Sequence, residues 1–481
     1  MKKVISIILA MMMAFSLFLL SGCGDNTSKD GITTITWYIP GVLEGTDVDM
    51  VMDKVNELLA ERYQLKLDLI CIDNKNYNSK MQVINAGHEE YDLSYINQNF
   101  EECIRNGVLY DITDLLPEIA PITYEALDEN NWKAVTVDGR IYGVPNWQVQ
   151  AYAAGINGDK SKFDAAGVDI SNIKTTDDMT DYLRKLHAVE PDTNVVDPWW
   201  PTMSVYYGFE EFIKERMVGA IRFKEEGKPV VFNQYKTEEF KEYINVRRSW
   251  VEENLVADYY ENNHNLGKKG VQRVALGVFY HKPSLEAEST ISNGYPTLGR
   301  QISDGVLTNR GIRATMTAIS TTSKHPGEAL KMIEIIYSDA EIYNLLCWGI
   351  EGVHYTKNEE GKITIADNSN YDRIANWKIG PTYNSLLLNN QEESVYDETR
   401  KFNESAIPSP LLGFIFDTTS VATELSNCTT VINKEMQTLE MGLIDPKEGL
   451  ANFLKNLEVA GSQKIIDEIQ RQIDEWWAKN H

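Results

Sequence analysis

Val137-Asp138-Gly139-Arg140-Ile141-Tyr142-Gly143-Val144-Pro145-Asn146-Trp147 is the stretch whose reading decides the fold. Asp-Gly between Val137 and Ile141 is a strong hairpin signal, because glycine accepts positive φ without strain and aspartate tolerates it. Gly143 and Pro145 then punctuate the exit, and the proline biases Val144 toward extended backbone. A segment of this kind suits a chain that leaves one α/β unit and begins another.

The residues before it have the periods of such a unit. Thr33 to Ile39 alternates around Ile35, Trp37 and Ile39, as a half-buried strand does. A turn holding Pro40, Gly41 and Gly45 leads into Thr46-Asp47-Val48-Asp49, a capping-box pattern. Val48, Val51, Met52, Val55 and Leu59 then recur at helical spacing, and Leu65, Leu67 and Leu69 alternate again. Strand, helix and strand in this order predict a βαβ unit with parallel strands. A helical run around Met81 and Ile84 and a strand over Tyr91 to Ile96 follow. Ligands of open parallel sheets bind beyond the carboxyl ends of the strands. That rule puts Tyr38 to Thr46, and the region from Asn97 onward, at the candidate cleft.

Beyond Trp147 the pattern repeats. Ala151 to Asn157 reads as the first strand of a second lobe, Thr175 to Leu186 as a capped helix, and Val274 to Tyr280 as a buried strand. From about Leu411 the apolar residues fall at largely helical spacing, punctuated at Met441-Gly442-Leu443 and Val459-Ala460-Gly461, which predicts a small helical module packed on one lobe.

Val137 to Asn146 is similar to the crossover segment of the bacterial extracellular solute-binding proteins, the ligand receptors of ABC importers (family 1). Gly107 to Pro117, with its Asp111-Ile112-Thr113-Asp114-Leu115-Leu116 run, resembles another segment of that family. So does Thr315 to Ile333, a strand, a Ser/Thr turn, a proline and an alanine-containing helix. Gly349 to Tyr355 and the stretch from Ala460 to Trp477 look like the LipO-type lipoprotein subgroup with its C-terminal domain of unknown function. The resemblance implies an α/β, two-lobed periplasmic-binding-protein-like fold with a central hinge. Its expected division is 32–149 with 300–340 in lobe one, 150–299 with 341–410 in lobe two, and 411–481 as the C-terminal helical domain.

Lys2 and Lys3, the apolar run from Val4 to Leu20, and Leu20-Ser21-Gly22-Cys23 read as a leader, residues 1–22, to be excluded from the fold. The four positions ending at Cys23 resemble a bacterial lipobox, which implies lipidation of Cys23, palmitate included. Residues 23–31 have almost nothing to bury and read as a tether. The alternative is an uncleaved anchor, for which the run is barely long enough. The expected location is thus the outer face of the cell membrane.

Of the 481 residues about 450 remain after processing, enough at roughly 100 to 200 per domain for two or three domains. Loss of Lys2 and Lys3 takes the formal net charge from −25 to −27. So acidic a chain repels nucleic acid, and an anionic ligand would need a local basic pocket. Cys71, Cys103, Cys347 and Cys428 are too few and too scattered for a disulfide-built fold, and free thiols are expected, one bridge being the alternative. No phosphate-cradle, hydrolase-elbow or zincin motif occurs, and no metal or cofactor is expected.

The expected function is therefore a lipid-anchored, monomeric, non-enzymatic receptor that passes a solute, with a carbohydrate as the leading class, to an ABC permease. The alternatives are an extracytoplasmic glycan-degrading enzyme, whose two carboxylates need only meet in space, and a non-transporting sensor or scaffold. Candidate ligand contacts are Trp37, Tyr38 and Glu44 on lobe-one loops, and Asn146 and Trp147 at the crossover. Trp199, Trp200 and Tyr280 are the candidates in lobe two, with Trp348 and Tyr355 beside the Gly349 to Gly352 segment. Aromatic faces cover sugar C–H surfaces while a few amides and carboxylates fix hydroxyls. Each of these aromatics, taken singly, is more often a core residue than a ligand contact.

Overall fold

The computed structural model describes residues 31–41, 45–97, 99–191, 195–197, 200–256, 273–372 and 374–481. The leader, Cys23, the tether up to residue 30, Glu44 and Trp199 lie outside the described residues.

Strand β1 (Thr33–Pro40), helix α1 (Val48–Tyr63) and strand β2 (Leu65–Ile72) form the expected unit, with β1 and β2 parallel in register from Thr33 opposite Leu65 to Pro40 opposite Ile72. α1 buries Val51, Val55, Leu58 and Leu59. The capping box expected at Thr46 does not form. Asp47 takes the cap position without a side-chain bond to the helix, because its carboxylate accepts from Thr46 Oγ1 at 3.1 Å and meets His354 Nε2 at 3.2 Å. Helix α2 (Tyr77–Ala86) leads to β3 (Leu93–Ile96), parallel to β1, and α3 (Phe100–Arg105) follows. After helix α4 (Glu129–Val135), strands β4 (Thr136–Val137) and β5 (Arg140–Ile141) make the hairpin read in the sequence, with Asp138 and Gly139 at φ 48° and 78°. Positive φ at both central residues is the turn that fits the twist of a two-residue hairpin. β6 (Val144–Pro145) then closes the first sheet, whose strand order is β2-β1-β3-β15-β6, with β15 (Met316–Ile319) antiparallel to both β3 and β6.

The chain crosses after Pro145. β7 (Ala153–Asp159) is the centre of a second sheet, between β12 (Val274–His281) and β13 (Thr297–Gln301), both antiparallel to it, with β8 (Val195–Asp197) on the far side of β12. Helix α5 (Thr176–Val189) carries a complete capping box of Thr175 and Asp178. Helix α6 (Trp200–Tyr206) leads into a small antiparallel sheet of β9 (Phe209–Glu211), β10 (Gly219–Arg222) and β11 (Phe232–Asn233).

Two large cores follow from this. The first gathers residues between Ile35 and Trp147 with Met316 to Ile379; the second gathers Ile156 to Val278 with Leu411 to Ile473. This corrects two expected boundaries. Arg300 and Gln301 belong to β13 in the second sheet, so the return to lobe one is complete only at Met316. Residues from Ile342 to Ile379, expected in lobe two, are buried in lobe one. The reason is local: the helix Ala340–Trp348 follows directly on Pro326–Ser338, and Arg62 of α1 pins the junction through Asp339 at 2.9 Å and Glu341 at 2.6 Å.

Three segments join the lobes: 146–152, 302–315, and the stretch that leaves lobe one after Tyr396 and enters the second core at Leu411. A small apolar cluster of Ala151, Ala153, Leu307, Ile312, Phe402 and Leu412 fills the space among them. Asn403 ties the third segment to the first, its Oδ1 accepting from the amides of Gln150 and Ala151 at 3.0 Å and its Nδ2 donating to the carbonyl of Gln148 at 2.6 Å.

The C-terminal helices Ala422–Glu440, Pro446–Val459 and Ser462–Asn480 form the expected module, and it shares lobe two's core through Cys428, Met436, Phe453, Ile465 and Ile469. Glu440, buried, accepts from the Trp200 amide at 2.6 Å and from Arg216 at 2.8 Å. Cys71, Cys103, Cys347 and Cys428 are free thiols. Among the described residues no helix is long and apolar enough to cross a membrane.

Candidate ligand cleft

A cavity of about 410 Å³ opens between the lobes where α3, the β9 edge and the third joining segment meet. Lobe one contributes Asn97 and Asn99, just past the carboxyl end of β3, and Phe100 at the start of α3. Lobe two contributes Glu210, Glu211 and Phe212; the segment after the third crossing adds Phe414 and Phe416. The second crossing supplies Arg310 and Arg313. The placement follows from topology, since β3 is parallel to β1 and the loops after them share one edge.

Both arginines are engaged. Arg313 is buried, donates to the Ala134 carbonyl at 2.7 Å and to Glu101 Oε1 at 2.9 Å, and lies 4.8 Å from the centre of the Phe100 ring. Its further contacts reach the Phe414 carbonyl at 3.4 Å, so one guanidinium touches lobe one and the stretch just after the third crossing at once. Burial pulls Arg313 below its ordinary value, against the Glu101 carboxylate. Arg310 donates to Glu215 Oε1 at 2.7 Å. Burial works against its charge, but Glu215 raises its pKa on balance.

The two carboxyl groups of β9 behave unlike surface acids. Burial pushes Glu210 up to about 7, with the Ser409 hydroxyl, 2.6 Å from Oε2, and Arg313 pulling the other way. Burial likewise pushes Glu211 up to about 7, opposed by the Arg216 amide at 3.0 Å and by Gln234. Near neutrality each can either donate or accept a hydrogen bond. No cluster of metal-ligating side chains occurs among the described residues.

The residues expected at the ligand are distributed differently. Trp37 is 1% exposed, because the alternation along β1 sends odd positions into the first core; Tyr38, on the other phase, is half-buried and edge-on to Tyr91. Asn146 is buried, donating its amide to Thr315 and its Nδ2 to the Trp377 carbonyl at 3.1 Å. Trp147 packs edge-on against Tyr383, with the Arg400 guanidinium 5.1 Å from its ring, and is 5% exposed. Trp200 is wholly buried with its indole N–H on Gln234 Oε1, Trp348 is buried with its N–H on Ser385, and Tyr355 is buried in the first core. For Trp37, Trp147, Trp200, Trp348 and Tyr355 the expectation of a ligand contact is corrected, because their indole and phenol surfaces are spent on packing, and for Asn146 because its donors are spent on Thr315 and Trp377. Tyr280 comes nearest, its ring tilted at 57° against that of Tyr152 and its hydroxyl 3.5 Å from Glu215, the partner of Arg310.

The sequence reading found the region after Asn97 but missed Phe100, Glu210, Phe212, Arg310, Arg313, Phe414 and Phe416. Their order along the chain gives no hint that they converge.

The profile of the bacterial extracellular solute-binding protein family matches residues 68–342, more than half of the chain. The chain belongs to that family. A domain of unknown function matches residues 410–478, the helical module. A curated relative, the carbohydrate ABC transporter substrate-binding protein of Streptococcus pneumoniae serotype 4, is 23% identical over 442 residues, covering 89% of this chain and 88% of the relative. The solute-binding protein also resembles the crystal structure of the N-glycan transport solute-binding protein NgtS from Streptococcus pneumoniae. There the TM-score is 0.81 at 22% identity, covering 93% of this chain and 99% of the other. For NgtS in complex with Man1GlcNAc the TM-score is 0.69 at 21% identity, covering 92% and 99%. These likenesses bear on the fold.

Proposed function

We propose that this solute-binding protein is the carbohydrate receptor of an ABC importer, that it binds a neutral oligosaccharide between its lobes, and that it releases the sugar uncleaved to the permease. The observation that carries the reading is the composition of the interlobe cavity: phenylalanine rings, asparagine amides and carboxyl groups, with both crossover guanidiniums already paired inside the protein. Hydroxyl groups find donors and acceptors there, and C–H faces find rings. A ligand carboxylate would meet Glu210 and Glu211 beside two guanidiniums that are already paired, the third arginine of the lining, Arg105, being exposed, and burying an unpaired charge is costly. The relatives named for carbohydrate and N-glycan transport support the same class.

The lobes are joined so that closure can select the ligand, which favours the closed state only by its extra contacts there. The Cys23 lipid anchor would hold a monomeric receptor at the outer face of the membrane beside its permease, with no nucleic-acid partner. A glycosidase reading rests on Glu210 and Glu211, since a carboxyl group raised to about 7 is what a general acid needs. Calorimetric titration with neutral oligosaccharides, followed by analysis of the recovered sugar, decides between them. Saturable binding with intact sugar is expected; recovery of cleaved products would overturn the receptor reading.

A further inference from the structure

Among the described residues Trp377 is the only tryptophan that is exposed rather than buried or half-buried, at 39%. An exposed indole is unremarkable on a loose loop, but this one is not on a loose loop. It sits in the single turn Asn376–Lys378, flanked by Ile374 and Ile379, both buried in the first core. The Asn376 carbonyl accepts from the Tyr343 hydroxyl at 2.9 Å, and the Trp377 carbonyl accepts from Asn146 Nδ2 at 3.1 Å. Lys378 Nζ donates to the Pro40 carbonyl at 2.8 Å and to Asn74 Oδ1 at 3.1 Å, while lying 5.2 Å from the centre of the Trp377 ring. The backbone is thus fixed from three directions while the largest apolar side chain in the segment is left to solvent. Fixing a group before its ligand arrives lowers the entropy cost of binding.

The position is equally telling. Pro40 ends β1, and Asn146 follows the last residue of β6, whose Pro145 pairs with Met316 opposite Ile96 at the end of β3. The turn therefore links the ends of β6 and β1 along the carboxyl edge of the first sheet, the edge on which an open α/β sheet receives ligand. Asn97 of the interlobe cavity leaves the same edge.

We propose that Trp377 is a preformed stacking platform for one pyranose ring at the lobe-one rim of the cleft, with Lys378 fixing the tilt of the indole. This rests on the carbohydrate reading above. The test uses the purified protein and its Trp377→Ala and Trp377→Phe variants, titrated with Man1GlcNAc and with longer neutral glycans of mannose and N-acetylglucosamine. Calorimetry and acrylamide quenching of tryptophan fluorescence are read together. In the parent, sugar should bind and shield one exposed tryptophan from acrylamide. Trp377→Phe should keep binding within about threefold and lose the shielding, since a ring remains but the indole does not. Trp377→Ala should bind roughly tenfold more weakly or worse with an unchanged melting temperature. Equal affinity in Trp377→Ala, or sugar-dependent shielding that persists in Trp377→Phe, overturns the platform while leaving the receptor reading intact. A parent that binds neither these glycans nor any other neutral oligosaccharide overturns both.

Discussion

Glu210 shows how much a single buried carboxyl group can weigh. Its pKa in the folded chain is about 7 against an ordinary 4.5, so between those values the native state holds a proton that the unfolded chain has lost. The linkage then runs downward: stability is highest near and below pH 4.5 for this group and is lost as pH rises to about 7, by on the order of 3 kcal/mol. Glu211 adds a similar slope over the same window. Glu210→Gln keeps an acceptor for the Ser409 hydroxyl and removes the titration. Urea unfolding should find it more stable than the parent at pH 8 and equal to it at pH 5. A difference that does not change with pH would mean that Glu210 is not the group that titrates. Nothing in Phe209-Glu210-Glu211 as a sequence gives this away, since two adjacent acids normally read as solvated. Trp147 errs in the other direction. Its place after Pro145 was legible, but its side chain went to Tyr383 and Arg400, partners more than 200 residues away that no local pattern names.

At the scale of elements, local periods were read well where one face is buried and one is wet. β1, α1 and β2 stand where their spacing put them, β15 and the helix Pro326–Ser338 stand where the family resemblance implied them, and Thr175 with Asp178 completes its box. What the pattern could not carry was which sheet an apolar helix joins. Ala340–Trp348 is apolar enough for either lobe, and only the Arg62 contacts and the core against α1 assign it. The third joining segment was hidden for the same reason. Asn403 is its fastening, and Asn403→Ala would leave the Gln150 and Ala151 amides buried without acceptors. Each orphaned amide costs about 1 to 3 kcal/mol. The variant should therefore lose at least about 2 kcal/mol in denaturant unfolding, and a loss below about 0.5 kcal/mol would show that solvent reaches those amides after all.

The whole molecule is two lobes with an appended module that is not separable in energy terms. Glu440 of the module serves Trp200 and Arg216 of lobe two, and Ile469 touches the position of Gly219 so closely that a Cβ there would come within 2.7 Å. The charge of the exported chain and its acidic surface suit solubility outside the cell. If Cys23 is the anchor, Cys23→Ser should move the protein from the membrane fraction to the medium, or leave it unprocessed, with the fold unchanged by circular dichroism. Detergent-dependent retention at the same processed mass would exclude lipidation at that residue.

The three segments that join the lobes also set which movements remain. Two bodies joined by one strap can swivel, slide and bend. Each additional strap removes freedom, and three that are packed together and cross-tied by Asn403 leave chiefly a swing about the line they share. A swing opens widely far from that line and hardly at all beside it. Sugar units lying close to Arg310 and Arg313 would therefore meet nearly the same walls whether the jaws are apart or together. Units reaching outward toward the rim would feel most of the difference. Such a receptor would recognise one end of its glycan before it moves and measure the rest by moving.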